Sequence, residues 1–397
     1  MTTWNRSVRP LFARLFEQSS ESSWLKPIEG MRGFAAFLVF FVHFDGLFGV
    51  YVPRGSISSQ VSRFAGAAGN TGVDMFFVIS GFLIYGIIIR RSPGYWNFMR
   101  RRIVRLYPVF LFVFAIYLVL SRLRPAGSKI PADARMAIPY ILANLLMLPG
   151  IFHITPLIIV AWSLSYELCF YATLPLVVYG LRMKRWPPAM RTLFFVGVVI
   201  VYYMACGAGY AHHPRLIMFV AGILLYETKN NSGFLEGLTP QLDYLAILAV
   251  CAALALTGLH ILSRGQATKM LVELPTGSLA LLFFSFFSLA LCALSHEGVL
   301  MNFFSLEGIR WFGNMSYSYY LTHVLTLYGL QRVLSLLHLP GQLGAISYLI
   351  LEGGCFAVTV LMAAAVYLIV ERPFSLAKRR ASESLRAKNV QFASAVR

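Results

Sequence analysis

Charge is scarce in this sequence. Asp, Glu, Lys and Arg make up 13% of its 397 residues, about half of what a soluble domain carries. Hydrophobic residues make up 58% and aromatic ones 15%, with a mean hydropathy of +0.68. That balance excludes a soluble globular chain and leaves a polytopic membrane protein. Acidic residues are scarcer still, 16 against 34 Lys and Arg, for a formal charge of +18. The basic residues sit in short loops between apolar runs and not on one soluble face, so the excess reads as membrane topology and no nucleic acid partner is expected. Cysteines number five, Cys169, Cys206, Cys251, Cys292 and Cys355, far apart and within or beside apolar segments. They form neither a CxxC metal spacing nor paired loop cysteines, and read as small core residues. HExxH, a GxSxG elbow and a Gly-rich nucleotide loop are all missing, so neither a metal nor a permanently bound cofactor is expected. The first 27 residues hold no apolar core followed by a small-residue cleavage site; the first span is expected to be its own insertion signal.

What the chain does have is long apolar runs. A spanning helix needs about 20 mostly apolar residues, and ten stretches qualify: 31–50, 73–90, 106–121, 162–180, 192–208, 214–227, 241–262, 276–295, 314–337 and 344–370. Ala137 to Leu148 is too short and ends in Pro149-Gly150; with the following IFHITPLII it reads as a re-entrant or interfacial segment on the outer side. The expected fold is an all-α polytopic membrane bundle of about ten transmembrane helices plus that one segment. Counted this way, 24 of the 34 basic residues fall on the side of the N-terminus, which places both termini in the cytoplasm. A cytoplasmic segment over 1–25, a membrane domain over 26–376 and a basic tail over 377–397, near anionic lipid, complete the division. No repeat at a fixed period is present.

Ionisable residues inside spans are costly, so they are where function is sought first. The first span, IEGMRGFAAFLVFFVHFDG, carries Arg32 and His43 eleven residues apart, on one helix face and about 16 Å apart along the axis. Snorkelling at the boundary accounts equally for Arg32, and helix packing for His43. Asp45 lies on the other side, suited to a cap or loop. In GVDMFFVISGFL, Asp74 suits a helix N-terminus, and Ser80-Gly81 permits close approach of a helix or ligand. The loop RRSPGYWNFMRRRIVRLYP holds six arginines; Arg102 and Arg105 share a face at i, i+3 and suit either lipid headgroups or a phosphorylated donor. AWSLSYELCFY places Ser163 and Glu167 on one face and Trp162 and Tyr166 on another. In GNMSYSYYLTHVLTLY, Ser316, Tyr319, Tyr320 and His323 form a polar stripe, which suits an interhelical hydrogen-bond seam as well as a site. Two mid-membrane histidines, two carboxylates nearer the outer half and arginines at the cytoplasmic mouth suit acid-base chemistry on an anionic substrate entering from the cytoplasm. The residues alone lead to a membrane enzyme or transporter with a proton-handling core.

Six segments in order resemble the integral-membrane acyltransferase family 3, the group that includes bacterial O-acetyltransferases of exopolysaccharide, O-antigen and Nod factors. They are EGMRGFAAFLVFFVHF, GVDMFFVISGFL, RRIVRLYP, WSLSYELCFY, GNMSYSYYLTH and ERPFS, spanning roughly residues 26–376. The resemblance implies ten core spans, acyl-CoA as co-substrate bound from the cytoplasm, and transfer of an acyl group, acetyl first of all, to a hydroxyl of a saccharide or lipid-linked glycan. Arg32 and His43 match the family's Arg-x10-His motif, and Arg102 and Arg105 its RxxR. Asp74, Ser80, Trp162, Glu167 and His323 fall on its other recurring positions. His43, His323, Glu167 and Asp74 are the catalytic candidates, with either carboxylate able to fix a histidine tautomer; Arg32, Arg102, Arg105, Ser80 and Trp162 are the substrate-binding ones. Location in the bacterial inner membrane follows, with membrane lipid and polysaccharide biosynthesis or export proteins as partners. Some relatives carry an extracytoplasmic esterase-like domain; this sequence ends shortly after its last span and is expected to act alone or with an unlinked partner. The rival readings are a transporter or flippase for an anionic or lipid-linked substrate, which would show paired broken helices in two repeated halves, and an inactive assembly partner.

Overall fold

The computed structural model describes residues 9–17, 25–152, 154–210, 213–231, 239–264, 276–337 and 342–374. The predicted tail over 377–397 lies outside the described residues, as does most of the segment over 1–25. Fifteen α-helices and no strand occur among the described residues: α1 (Arg9–Phe16), α2 (Lys26–Phe48), α3 (Ile57–Gly69), α4 (Gly72–Arg91), α5 (Tyr95–Leu123), α6 (Ala134–Leu145), α7 (Trp162–Gly180), α8 (Pro188–Gly207), α9 (Ile217–Lys229), α10 (Leu242–Ser263), α11 (Thr276–Ser295), α12 (Val299–Phe304), α13 (Glu307–Asn314), α14 (Ser316–Leu336) and α15 (Ala345–Val366), the last continued by a π turn over Tyr367–Glu371.

Eight of the ten predicted spans are helical stretches long and apolar enough to cross a bilayer. The two that fall short do so for different reasons. Helix α9 has only 13 residues, about 20 Å. Ten of them, from Ile217 to Glu227, are buried, so protein and not lipid surrounds it, and bilayer thickness does not set its length. Helix α14 is long enough at 21 residues, but Ser316, Ser318, Tyr319, Tyr320, Thr322 and His323 lower its hydropathy, and all six are buried. The predicted re-entrant segment is α6, 12 residues long, about 18 Å and short of a 30 Å hydrocarbon core. It ends at Leu145, and two residues on, Met147 has a φ of +55°. The chain that follows is tied to α6 by a hydrogen bond from Leu157 N to Asn144 Oδ1 (2.7 Å) and to α7 by one from Gly150 N to Ser165 Oγ (3.0 Å).

Packing depends on small residues, because lipid removes the hydrophobic drive between helices. A Cβ on Gly81 of α4 would lie 2.0 Å from the Phe219 carbonyl oxygen, and one on Gly222 of α9 would lie 2.0 Å from that of Val78. The two helices therefore cross backbone to backbone, so Gly81 serves helix approach while its neighbour Ser80 faces the site. At the Arg32 end of α2, Gly313 makes the same kind of contact with the Glu29 carbonyl. There Arg310 of α13 binds Glu29 and Glu17, each at 3.0 Å. Asp45 is neither a cap nor in a loop: it is buried and accepts a hydrogen bond from Ser62 Oγ at 2.9 Å, which ties α2 to α3. Ser62 also bonds Tyr348 Oη of α15 at 2.9 Å.

Candidate active site

Helices α2, α4, α5, α7 and α14 surround a cavity of about 240 Å³. Five of the nine sequence-predicted site residues line it: Arg32, Ser80, Arg102, Arg105 and Glu167. The i, i+3 spacing on α5 turns Arg102 and Arg105 to the same wall, as helical geometry requires. Arg102 is buried, its guanidinium 5.5 Å from the Phe98 ring centroid and 5.8 Å from that of Tyr171. Its Nε has no hydrogen-bond partner among the described residues. Arg105 is exposed and Arg32 half-buried; among the described residues neither has a carboxylate within salt-bridge distance. The mouth is thus a cluster of three cations, Arg102 among them held against aromatic faces, and none is neutralised by a carboxylate among the described residues, which suits an anion.

Glu167 is held in place by two hydroxyls. Ser80 Oγ donates to it at 2.9 Å and Tyr171 Oη donates from the next turn of α7. Near the mouth, Ser318 of α14 donates to Glu371 in the π turn through both its backbone N–H (3.2 Å) and its Oγ (2.6 Å). Arg32 lies within electrostatic reach of Glu371, Glu167 and Arg105.

Asp74 and Trp162 do not line the cavity. Asp74, fully buried in the first turn of α4, pairs with Arg215 at 3.3 Å. Arg215 also donates to the Asn70 carbonyl at 3.0 Å and lies 6.0 Å from the Trp162 ring centroid. These four residues form a polar brace where the N-termini of α4, α7 and α9 meet.

The two histidines meet. His43 of α2 and His323 of α14 have ring centroids 5.1 Å apart, and the Tyr319 ring is parallel to His323 within 5° at 5.1 Å. His323 Nδ1 lies 2.9 Å from the Tyr319 carbonyl oxygen, which can only accept, so Nδ1 carries the proton and Nε2 presents a lone pair. Nε2 is buried and has no hydrogen-bond partner among the described residues. The expectation that Glu167 or Asp74 fixes a histidine tautomer does not hold for His323: a backbone carbonyl does so, while Glu167 is engaged with hydroxyls and Asp74 with Arg215.

Tyr320 links the cavity to this pair. It lines the cavity with Phe76, the two rings 5.9 Å apart and edge to face. Its centroid is 6.1 Å from that of His323, and its hydroxyl is shared with Ser163 Oγ (2.7 Å) and the Val160 carbonyl (3.1 Å). Tyr320 belongs to the polar stripe of α14 and Ser163 to the Glu167 face of α7, both readable from spacing, whereas Tyr171, one turn from Glu167 on the same face, escapes that reading. Arg215 carried no signal, because its partner Asp74 is 141 residues away in sequence.

Residues 26–368 match the family described as the acyltransferase domain, most of the chain. The chain belongs to that family. It is an acyltransferase, in a multi-pass helical framework. Among similar proteins, the exopolysaccharide production protein ExoZ of Rhizobium meliloti (strain 1021) is 28% identical over 315 residues, covering 77% of this chain and 89% of the relative. The O-acetyltransferase OatA of Staphylococcus aureus (strain MRSA252) is 25% identical, covering 97% of this chain, which spans 62% of OatA's length. No solved structure matches the chain significantly.

Proposed function

We propose that this acyltransferase moves an acetyl group from acetyl-CoA to a hydroxyl of a saccharide or lipid-linked glycan, in the modification of an exopolysaccharide or surface polysaccharide. It does so in the bacterial inner membrane, with both termini and the arginine mouth on the cytoplasmic side. The observation that carries the reading is the line from a phosphate-suited mouth (Arg32, Arg102, Arg105) through the Tyr320 wall to a bare imidazole nitrogen. The names of ExoZ, an exopolysaccharide production protein, and OatA, an O-acetyltransferase, agree with it.

In this reading the arginines pair with the phosphates of CoA, and the thioester reaches inward past Ser80 and Glu167. A neutral histidine, His43 or His323, takes the proton of the acceptor hydroxyl as its oxygen attacks the thioester carbonyl. A C–O bond forms, the C–S bond breaks, and the imidazolium returns the proton to the leaving thiolate. Glu167, fixed by Ser80 and Tyr171, supplies negative charge that offsets the arginines around it. The acceptor, membrane lipid and export proteins are the partners. The test is thiol release from acetyl-CoA by the purified full chain, together with its His43→Ala variant. Release that is lost in the variant, with the protein still folded, is expected; unchanged release removes His43 from the mechanism.

A further inference from the structure

At the end of α5 opposite Arg102 and Arg105, a second cavity of about 510 Å³ opens between the last turns of α5, the stretch from 127 to 159 and α14. Its polar side chains are Tyr117, Ser121, Arg124, Lys129, Tyr328 and Arg332. Three are cations, Arg124 and Lys129 from the segment that follows α5 and Arg332 from α14, and no Asp or Glu joins them. Among the described residues none of the three pairs with a carboxylate. Lys129 Nζ donates to the Pro156 carbonyl at 2.9 Å, which fixes it at the rim. Tyr117 Oη is buried and has no hydrogen-bond partner among the described residues.

We propose that this cavity binds a carboxylate-bearing sugar of the acceptor saccharide, such as a hexuronate, at a distance from the hydroxyl that is acylated; the inference rests on the saccharide O-acylation reading above. Three cations line one cavity without a carboxylate to offset them, and the two arginines among them are exposed and free to meet an anion, with a planar fork that matches a carboxylate. Tyr117 and Tyr328 add apolar ring faces for a pyranose and hydroxyls for its polar edge. The volume falls within the range of small-ligand sites. With this end facing away from the cytoplasm, topology would deplete it of basic residues, so their convergence has another cause. The α14 residues that line the cavity, Leu325, Tyr328, Gly329 and Arg332, lie on the side of the helix opposite His323. The sugar held here is therefore not the one that reacts. A lipid phosphate would also satisfy the charges, but it needs no walled cavity with tyrosine hydroxyls.

The test uses the full chain in phosphatidylcholine nanodiscs, with tetragalacturonate as the acidic probe and maltotetraose as the neutral one. The acidic probe is expected to bind at least about ten-fold more tightly, and the difference is expected to shrink in high salt. Two variants are expected to reduce that binding by about ten-fold or more: the pair Arg124→Gln with Arg332→Gln, and Gly329→Leu, where a Cβ meets nothing within 4 Å and the added side chain fills the cavity. Arg122→Gln, an exposed charge that does not line the cavity, controls for net charge and is expected to leave binding unchanged. Equal binding of the two probes, or undiminished acidic binding in both cavity variants, overturns the proposal. So does Arg124- and Arg332-dependent retention of phosphatidylglycerol in native mass spectrometry without any preference for the acidic probe, which assigns the cavity to a lipid headgroup. Thiol release from acetyl-CoA is measured on the same preparation. If it is present without acidic preference, this inference alone fails; if it is missing in the unmodified protein, the reading beneath fails and takes the inference with it.

Discussion

His43 and His323, 280 positions apart in the sequence, face each other across the α2–α14 contact with ring centroids 5.1 Å apart. If acyl transfer runs through this pair, the two imidazoles act as one unit, because at this distance a charge on either disfavours a charge on the other. His43→Ala and His323→Ala are each expected to lower acyl transfer by on the order of 10²- to 10⁴-fold, the usual range for loss of a general base. The double variant is expected to be no worse than the poorer single one, as for residues that act as a unit. Thiol release with and without acceptor measures this in protein that elutes as a single folded species. Multiplicative losses would show two independent roles.

Arg102 lies over the rings of both Phe98 and Tyr171, which meet edge to face. A planar guanidinium suits aromatic faces and a phosphate at once, whereas an ammonium serves neither as well. Arg102→Lys is expected to raise the KM for acetyl-CoA by about ten-fold with a smaller change in kcat, the signature of lost ground-state binding. Arg100→Lys, exposed and outside the cavity, is expected to change neither. Michaelis curves for the three proteins decide it; a kcat loss at constant KM for Arg102→Lys would move Arg102 from binding to the chemical step.

Periodicity made the helical bundle and part of the site legible. The i, i+3 arginines and the Ser316–Tyr320–His323 stripe follow from helical spacing alone, and each lies on the face expected of it. Spacing within one helix does not report which helix it meets. The brace of Asp74, Arg215 and Trp162 therefore escaped, as did the tautomer of His323, set by a backbone carbonyl that every residue has. Helix α3, ISSQVSRFAGAAG, is too polar and short to read as a span, and its Ser62 bond to Asp45 is a contact between elements. Helices α9 and α14 qualified as spans on apolar length, but burial within protein relaxes both the length and the hydropathy that lipid demands.

The Gly81–Gly222 crossing predicts a strong steric response. A methyl on Gly81 points at backbone atoms of α9 that cannot rotate away, so Gly81→Ala forces the helices apart. Overpacking of this kind costs about 1–3 kcal/mol. The expected result is a lower thermal midpoint and weaker donor turnover, since α4 also carries Ser80. Gly353→Ala on α15, where a Cβ meets nothing within 4 Å, is expected to be neutral in both. Differential scanning fluorimetry in detergent checks the pair, and equal midpoints would mean the crossing is looser than its backbone distances imply.

Asp74 can be assigned to structure or to chemistry by separating charge from pairing. Its partner Arg215 is buried, as Asp74 is, and a buried pair broken on one side leaves an uncompensated charge at a cost of about 3–5 kcal/mol. Arg215→Met is therefore expected to destabilise the protein severely. Asp74→Leu combined with Arg215→Met replaces the whole pair with apolar groups of similar bulk, which is often neutral or stabilising, so the double variant should regain much of the lost thermal midpoint. If Asp74 braces the helices and nothing more, thiol release returns with the midpoint, because neither histidine contacts it. If stability returns and activity does not, the carboxylate itself acts in the reaction, and the route from the arginine mouth to the histidines must pass close to the brace.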